Sequence, residues 1–531
     1  MHRSSRPYCL SRRGATFLWG LRVPHDSSLT DTAARTGADE ATHTATDLTA
    51  DRAADTAVGA AAALNALRAI VGASHVLTGE DAAPYLTDWR GRYVGQALAV
   101  VRPADTPQVA AVMRWCHQHR VPVVPQGGNT GLCGGATPDA GGDAIVMSLR
   151  RMDAVRAIDP LNDTITVEAG CVLQAVQSAA RDVGRLFPLS LAAEGSCCIG
   201  GNLATNAGGT QVLRYGNTRD LALGLEVVTA QGEIWNGLSG LRKDNTGYDL
   251  RDIFIGSEGT LGIITAATLK LFPLPVASCT AFLAFESLTA ALAVLARARA
   301  GFGASLTGFE VMSRHCLQGV LRQFPDQRLP LSGESTQSPW FALLELSDSE
   351  SEAHAQARFE TILGDALEAG EAVDVAVAAN GAQSRAMWHL RESIPLAELA
   401  YGKAIKHDIS VPISRIGDFV TTTNAAIQAA HPGVQNVIFG HLGDGNLHYN
   451  VSRAPEQTET QLLALQEAVY AIVHASVVAH DGSISAEHGI GQLKRDQLPR
   501  YKDPVALLLM RRIKDALDPT GIMNPGKVLQ A

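Results

Sequence analysis

The segment NVIFGHLGDGNLHYNVS places two histidines, His441 and His448, on either side of an Asp-Gly pair. Because Asp-Gly between apolar stretches is a hairpin signal, residues 434–441 and 446–451 are predicted to be paired strands. Such a hairpin brings the two imidazoles near one another across the ladder. Two imidazoles on facing strands are a reasonable start to a divalent-metal site, although histidines beside a turn are more often solvated or hydrogen-bonded.

A second segment, SAEHGIGQLKR, offers Glu487 as a third ligand with His488 as its neighbour. Two histidines and a carboxylate leave coordination positions open, as a catalytic metal site requires. The ligand set suits Zn²⁺ or Mn²⁺, and the residues do not choose between them. A metal held in this way could polarise a substrate hydroxyl group.

An anionic substrate would need individually placed cations, because the formal charge of the 531 residues is −9. The segment MWHLRESIPLAELAYGKAIKHDISVP provides Arg391 and Lys406. A guanidinium matches a carboxylate bidentately, although either residue could equally be a surface charge. The acidic balance also argues against a nucleic-acid partner, which would require a concentrated basic surface.

Three glycine-rich segments occupy residues 125–135 (PQGGNTGLCGG), 195–209 (GSCCIGGNLATNAGG) and 256–265 (GSEGTLGIIT). Runs of backbone N–H groups in such segments can cradle a pyrophosphate. The dinucleotide-binding fingerprint G-x-G-x-x-G does not occur between a predicted strand and a predicted helix. A P-loop is also missing, because neither Gly402-Lys403 nor Gly526-Lys527 is followed by Ser or Thr. The pattern therefore supports neither a Rossmann site nor an ATPase.

The elements that must position these residues divide near residue 275. Before it, the periodicity predicts a helix over 60–71, a helix beginning at Thr106 and Pro107, and a helix over 172–183 ended by Gly184. Strands are predicted over 121–125, 144–149, 164–168, 223–229 and 262–271. After it, helices over 281–300, 352–369 and 459–479 alternate with strands over 341–346 and 434–440. This order predicts an α+β protein whose second domain has an antiparallel sheet.

The first 58 residues stand apart from this periodicity and are predicted to be a disordered extension. Residues 1–25 contain arginines and no acid, which makes an organellar presequence the alternative interpretation. The apolar stretch is too short for a secretory signal. The eight cysteines include no C-x-x-C pair, which favours buried thiols in a reducing compartment, and we expect a cytoplasmic protein. No apolar run approaches the roughly 20 residues that span a bilayer.

The glycine-rich segments, together with EGSCCIGGNLATNAGGTQVLRYGNTRD and DNTGYDL, resemble the FAD-binding domain of the vanillyl-alcohol oxidase or PCMH-type flavoproteins. The resemblance is closest to the branch of D-2-hydroxyglutarate dehydrogenase, D-lactate dehydrogenase and the glycolate oxidase FAD subunit. It covers roughly residues 70–531. It implies a PCMH-type FAD-binding domain over 59–275 and a substrate and metal domain over 276–531, whose last 45 or so residues return to the first domain.

The resemblance also implies the roles of individual residues. His441, His448 and Glu487 become metal ligands, His488 the base, and Arg391, Lys406 and Asn446 the substrate contacts. Cys133 is the one candidate for a covalent flavin link in a loop without histidine, so non-covalent FAD is expected. The implied FAD contacts are Pro125, Gly127, Gly128, Asn129, Thr130, Gly131, Gly200, Gly201, Asn202, Thr205, Asn206, Gly209, Glu258, Gly259, Gly262, Ile263, Ile264 and Asn524.

The implied reaction is oxidation of a D-2-hydroxy acid, with D-2-hydroxyglutarate first and D-lactate or glycolate as the alternative. Electrons would pass to an electron-transfer flavoprotein or a quinone, and a homodimer is the candidate assembly. One departure weakens the dicarboxylate assignment: Pro395 stands where some relatives carry a hydroxyl side chain. An electron-transfer flavoprotein without dehydrogenase chemistry is the alternative from another class. Such a protein would not need the four residues His441, His448, Glu487 and His488 together. A metallohydrolase would leave the glycine segments unexplained.

Overall fold

Three sheets, one of them only two-stranded, and their connecting helices form the first half of the chain in a computed structural model that describes residues 59–530. The extension predicted over 1–58 lies outside the described residues. The strands are β1 Val76–Leu77, β2 Ala99–Val101, β3 Val123–Gln126, β4 Ile145–Ser148, β5 Val155–Asp159, β6 Thr164–Glu168, β7 Arg185–Leu186, β8 Ala222–Val228, β9 Ile234–Gly237, β10 Ile263–Lys270 and β11 Phe272–Pro273. The helices are Ala60–Val71, Thr106–His119, Leu173–Asp182, Ile199–Ala204, Val212–Tyr215, Thr218–Leu221 and Arg251–Phe254.

The first sheet has the order β1-β2-β4-β3, and the helix Thr106–His119 crosses from β2 to β3. β2, β4 and β3 are parallel, as a helical crossover requires. Asp105 caps the helix by accepting the backbone N–H of Gln108 at 2.8 Å, so the capping residue lies one position before the predicted Thr106. The second sheet is antiparallel in the order β5-β6-β10-β8-β9, and β7 pairs with β11.

One antiparallel sheet of the order β15-β12-β14-β13-β17-β18-β16 organises the second half. Its strands are β12 Ala277–Phe285, β13 Leu306–Ser313, β14 Trp340–Asp348, β15 Asp374–Val377, β16 Asp408–Ser410, β17 Gln435–His441 and β18 Asn446–Ser452. The helices are Leu288–Phe302, Arg314–Gln323, Glu352–Glu368, Gly381–Glu392, Ile394–Ala400, Ile416–Ala430, Glu459–Ala464, Gln466–Ala479, Leu498–Tyr501 and Pro504–Leu517. The prediction of an α+β protein is confirmed.

Two helix predictions in this half need correction. The stretch predicted as a helix over 281–300 begins as the strand β12, and its helix starts at Leu288 after Ser287 caps the backbone N–H of Ala290. The run AFLAF has no polar residue to mark a face, and it is buried on both sides of the sheet. The helix predicted over 459–479 is interrupted at Leu465.

One face of the large sheet carries polar residues near its centre. In the register, Glu310 lies opposite His441, His441 lies opposite Asn446, and Asp408 lies opposite His448. Because side chains alternate along a strand, the intervening residues point to the other face, where Val311, Leu447 and Ile409 belong to the main hydrophobic core. The strand pattern thus gathers the polar residues from four strands.

The C-terminal segment lies beside the first sheet. The backbone N–H of Val123 donates to the carbonyl of Ile522, and the N–H of Asn524 donates to the carbonyl of Val123, both at 2.8 Å. Lys514 secures this segment with its ammonium, which donates to the carbonyls of Thr260 and Met523 at 2.8 and 2.9 Å. The glycine-rich loops that follow β3 and precede β10 are therefore held from the far end of the chain.

None of the helices within residues 59–530 is long and apolar enough to cross a membrane. The cysteines of the same range are unbridged.

Candidate active site

A cleft in the first half is lined by all three glycine-rich segments. Its walls include most of the residues predicted to hold the cofactor: Pro125, Gly127, Gly128, Asn129, Thr130, Gly131, Gly200, Gly201, Asn202, Thr205, Glu258, Gly259, Gly262, Ile263 and Ile264. Cys133 and His488 line it as well. The fold therefore brings together in one cleft the three glycine-rich segments that are distant from one another in the sequence.

Glycine is required in this lining where two loops meet. A Cβ atom on Gly128 would lie 2.2 Å from the carbonyl oxygen of Ser196, so the first loop can contact the second only without a side chain there. The backbone also adopts a positive φ at Asn129 (56°) and Glu258 (52°), a conformation that non-glycine residues rarely hold. Strain of this kind is characteristic of ligand-binding loops.

Three residues of the predicted cofactor set lie outside the lining. Asn206, at a φ of 50°, accepts the backbone N–H of Arg219 at 2.9 Å. The N–H of Gly209 donates to Oε2 of Glu487 at 3.0 Å, so Gly209 joins the cofactor loop to the predicted metal ligands. Asn524 donates its amide to the carbonyls of Gly135 and Glu258, both at 2.8 Å.

The cleft has the chemistry that an FAD requires. Its glycines leave the backbone N–H groups accessible to a ligand, and its wall at Ile263 and Ile264 is apolar. Cys133 is 3% exposed, and burial raises the pKa of its thiol to about 12. Because the thiolate is the nucleophilic form, this environment favours the expected non-covalent FAD.

The predicted metal ligands lie around one carboxylate oxygen. Oε1 of Glu487 is 3.9 Å from Nε2 of His441, 3.7 Å from Nε2 of His448 and 3.6 Å from Nε2 of His488. Ligand bonds of about 2.1 Å in tetrahedral geometry separate ligand atoms by roughly 3.4 Å, so Glu487 lies within a few tenths of an ångström of the ligand-sharing distance from each hairpin histidine. The residues fit a divalent metal.

The ligand atoms of Asp408, His448, Glu487 and His488 all lie within 4.8 Å of one another. His441, the third predicted ligand, lies outside this group of four. Oδ2 of Asp408 accepts the backbone N–H groups of Ala486, Glu487 and His488 at 3.1, 3.0 and 2.8 Å. Its Oδ1 accepts the amide of Asn446 at 3.0 Å. With these hydrogen bonds in place, Asp408 holds the turn that presents Glu487 and His488, and we regard it as a positioning residue rather than a ligand.

Burial and neighbouring charges set the protonation of the cluster in opposite directions. Burial opposes protonation of His441, but the charge of Glu310 and its hydrogen bond raise the pKa of His441 to about 9. Burial raises the pKa of Glu487 to about 7. Burial lowers the pKa of His488 to about 4, against the pull of Asp408, so this imidazole is neutral at pH 7 and can accept a proton.

The predicted substrate contacts are paired with carboxylates. Arg391 is buried and donates from Nε to Oε2 of Glu310 at 2.9 Å, and its Nη2 lies 2.8 Å from the same oxygen as an ion pair. Lys406 is 2.7 Å from Glu398 and its side chain is 28% exposed. Asn446 donates its amide to Asp408 and to the carbonyl of Ile409.

Comparison with known proteins gives the family. Residues 97–237 match an FAD binding domain, and residues 274–528 match the C-terminal domain of FAD linked oxidases. The mitochondrial D-2-hydroxyglutarate dehydrogenase of Bos taurus is 40% identical over 88% of this chain and 83% of its own length. The D-2-hydroxyglutarate dehydrogenase of Xanthomonas citri pv. viticola is 40% identical over 85% of this chain and 93% of its own length. This chain belongs to the FAD-dependent D-2-hydroxy acid dehydrogenases.

The chain shares its fold with more distant proteins of known structure. A structure of p-cresol methylhydroxylase with substrate bound superimposes with a TM-score of 0.70 at 17% identity, over 88% of this chain and 96% of the other. A structure of alkyldihydroxyacetonephosphate synthase superimposes with a TM-score of 0.66 at 16% identity, over 87% of this chain and 84% of the other. The PCMH-type fold predicted from the glycine-rich segments is confirmed, and the chain is an FAD-dependent oxidoreductase.

Sequence reasoning missed two carboxylates of the dehydrogenase, Glu310 and Asp408. Glu310 stands in the apolar strand LTGFEVMS, every residue of which is buried, and a lone acid in such a strand is a signal because unpaired buried charges are costly. Asp408 begins the short strand β16 and is 2% exposed. Its partners lie about eighty positions along the chain, which no local pattern reveals.

Proposed function

We propose that this dehydrogenase oxidises D-2-hydroxyglutarate to 2-oxoglutarate. The observation that carries the proposal is the position of His488, which lines the cofactor cleft and lies 3.6 Å from Glu487 of the histidine cluster. A proton-accepting side chain thus stands between the two places where FAD and a metal would bind. The names of the relatives from Bos taurus and Xanthomonas citri support the choice of substrate.

When bound, FAD supplies the two-electron acceptor, and Zn²⁺ or Mn²⁺ on His441, His448 and Glu487 supplies Lewis acidity at the substrate hydroxyl. His488 takes the hydroxyl proton at Nε2, the nitrogen that faces Glu487, while Nδ1 faces Asp408 at 3.7 Å. Because the imidazole is neutral before the reaction, it is ready to act as a base at pH 7.

The remaining polar residues orient the substrate. Arg391 uses Nε and Nη2 for Glu310, which leaves Nη1 for the carboxylate next to the hydroxyl. Lys406 is partly exposed and is the cation left for a distal carboxylate, and Asn446 lies between the two hairpin histidines on the same strand face.

A monocarboxylate such as D-lactate or glycolate is the second candidate substrate. Pro395 is the observation that favours it, since this residue at the start of the helix Ile394–Ala400 offers no donor to a distal carboxylate. The acceptor in our proposal is an electron-transfer flavoprotein or a quinone. A homodimeric assembly and a cytoplasmic location stay predictions from the sequence.

The test is an anaerobic visible spectrum of the purified, metal-replete full chain before and after addition of substrate. D-2-Hydroxyglutarate is expected to bleach the oxidised-flavin band faster than D-lactate, and the L-isomers are expected to leave it unchanged. Faster bleaching by D-lactate would replace the proposed substrate. A yellow protein that no hydroxy acid bleaches would point instead to an electron-transfer flavoprotein, and a colourless protein that FAD cannot reconstitute would overturn the proposal.

A further inference from the structure

Glu310 lies at the centre of the large sheet, where the proposed metal site and the proposed substrate cation meet. It occupies β13 directly opposite His441 of β17 and is 1% exposed. A buried carboxylate needs compensating partners, and Glu310 has two of them, His441 at 2.6 Å and the guanidinium of Arg391 at 2.8 Å. An ionised carboxylate only accepts hydrogen bonds, and both of its oxygens are used.

The first oxygen determines how His441 is protonated. Oε1 of Glu310 lies 2.6 Å from Nδ1 of His441. Because the carboxylate has no proton to give, Nδ1 must carry the hydrogen. The neutral imidazole then keeps its lone pair at Nε2, the nitrogen that faces Glu487 at 3.9 Å. A carboxylate behind a ligating histidine both selects the tautomer and raises the basicity of the ligand.

The second oxygen determines where Arg391 points. Oε2 of Glu310 accepts from Nε at 2.9 Å and lies 2.8 Å from Nη2, which places one edge of the guanidinium against the carboxylate. The guanidinium also lies 4.9 Å from the ring centroid of Phe439, so its plane is restrained on a second side. The remaining nitrogen, Nη1, keeps a fixed direction relative to His441.

We propose that Glu310 is a positioning residue that sets, with its two oxygens, the metal-binding tautomer of His441 and the direction of Arg391. A 2-hydroxy acid carries its hydroxyl and its carboxylate on adjacent carbons, so the groups that bind them must keep a constant separation. One carboxylate bonded to both provides it. This inference rests on the proposed function, since it assigns the metal to His441 and the substrate carboxylate to Arg391.

The matched control for Glu310 is Glu345 of β14. Glu345 lies opposite Gly308, two residues from Glu310, and so shares its face of the sheet. Its carboxylate accepts the indole N–H of Trp388 at 2.8 Å and bonds neither His441 nor Arg391. Glu345→Gln therefore removes a carboxylate from the same face without touching the proposed site.

The experiment measures Zn²⁺ affinity of the FAD-loaded full chain by competition with a chromophoric chelator, a readout that needs no turnover. Glu310→Gln is expected to weaken zinc binding about 10- to 100-fold, because the amide of glutamine can face Nδ1 with its NH₂ group and favour the wrong tautomer. Glu310→Asp keeps the negative charge on a shorter side chain and is expected to lose less zinc affinity than Glu310→Gln. At saturating zinc, Glu310→Gln is expected to raise KM for D-2-hydroxyglutarate, since Arg391 loses its anchor. Glu345→Gln is expected to match the parent in both measurements.

Equal zinc affinity in the parent and in both Glu310 variants would overturn the proposal while leaving the metal site intact. A parent protein that binds no zinc or manganese would overturn the proposed metal site, and this inference with it. If Glu310→Gln does not retain FAD, Glu310→Asp decides alone: weakened zinc binding supports the proposal, and parental binding overturns it.

Discussion

Glu258 of the cofactor loop accepts the backbone N–H groups of Ile490 and Gly491 at 2.7 and 2.8 Å. Ile490 follows His488 by two residues, so the turn that carries the proposed base is bonded to the wall of the cofactor cleft. On its other side the same turn is held by Asp408, through the N–H of His488 at 2.8 Å. The position of His488 therefore depends on one carboxylate from each half of the chain.

Replacing Glu258 by glutamine is expected to loosen this turn. One of the two backbone N–H groups would face an amide NH₂ and lose its acceptor, and an unsatisfied buried donor costs about 1–3 kcal/mol. We expect a lower melting temperature, a lower kcat and weaker zinc binding, because the same turn carries the proposed metal ligand Glu487. Thermal denaturation, steady-state kinetics and chelator competition measure the three. A variant with parental kcat would show that the turn holds its shape without Glu258.

Replacing His488 by asparagine is expected to lower kcat by about 10²- to 10⁴-fold, because a positioned proton acceptor contributes a factor of this size. FAD content and zinc affinity should be retained, since neither depends on the imidazole in our assignment. His389→Asn, at an exposed position two residues before Arg391, is the control and should keep parental activity. Full reduction of an acceptor by hydroxy acids in His488→Asn would remove this residue from the reaction.

Zinc binding is expected to tighten as pH rises. In the metal-free protein the pKa of His441 is about 9, so its imidazole is protonated at pH 7 and must release that proton to bind a metal. Apparent affinity should rise about tenfold per pH unit up to pH 9. Below pH 7 the rise should be steeper, because Glu487, with a pKa raised to about 7, must also lose a proton.

Chelator competition at pH 6, 7, 8 and 9 measures this dependence. His488 adds nothing to it over that range, because its pKa is lowered to about 4 and it is already neutral. An affinity that stays constant between pH 7 and 9 would contradict the assignment of His441 as a ligand.

Two glycines of the first loop separate cofactor binding from loop folding. Gly131→Ala adds a Cβ that meets no protein atom within 4 Å, although Gly131 lines the cleft. We expect the melting temperature of the FAD-free protein to stay unchanged and FAD affinity to fall, because the added methyl group occupies space for the ligand. Gly128→Ala places its Cβ 2.2 Å from Ser196 and is expected to lower both. If Gly131→Ala binds FAD with the affinity of the parent protein, the assignment of FAD to the space beside this loop would be contradicted.

Local sequence patterns predicted the parts of the site that are built locally. The hairpin of His441 and His448 follows from one Asp-Gly turn, and the register pairs His441 with Asn446 and Phe439 with His448. The glycine-rich loops were recognisable because each has its own composition. The prediction of a helix over 281–300 was wrong because an alanine-rich apolar run has no period that distinguishes a helix from a strand. The first residues of this run form a strand because they pair with β14, more than fifty residues away.

Partners distant in sequence explain the missed residues. Glu310 bonds His441 across 131 positions, and Asp408 bonds the backbone of His488 across 80. Nothing near either acid in the chain indicates these contacts, although burial of a charge in an apolar strand could have indicated that a partner exists. The proposed roles of His441 and Arg391 were predicted from local residue chemistry and from the resemblance, whereas the carboxylate that joins them required the fold.

Asn524 bonds the carbonyl of Gly135, a residue 389 positions earlier, and both contribute to the region around the cofactor cleft. During translation, the loop after β3 emerges long before residues 522–524 that flank it, and long before Ile490 and Gly491 occupy Glu258. While only the first half has been synthesised, the contacts from Asn524, Ile490 and Gly491 are absent from the cleft. We therefore expect newly synthesised protein to acquire a yellow colour after the C-terminal segment has folded, and not during folding of the glycine-rich half.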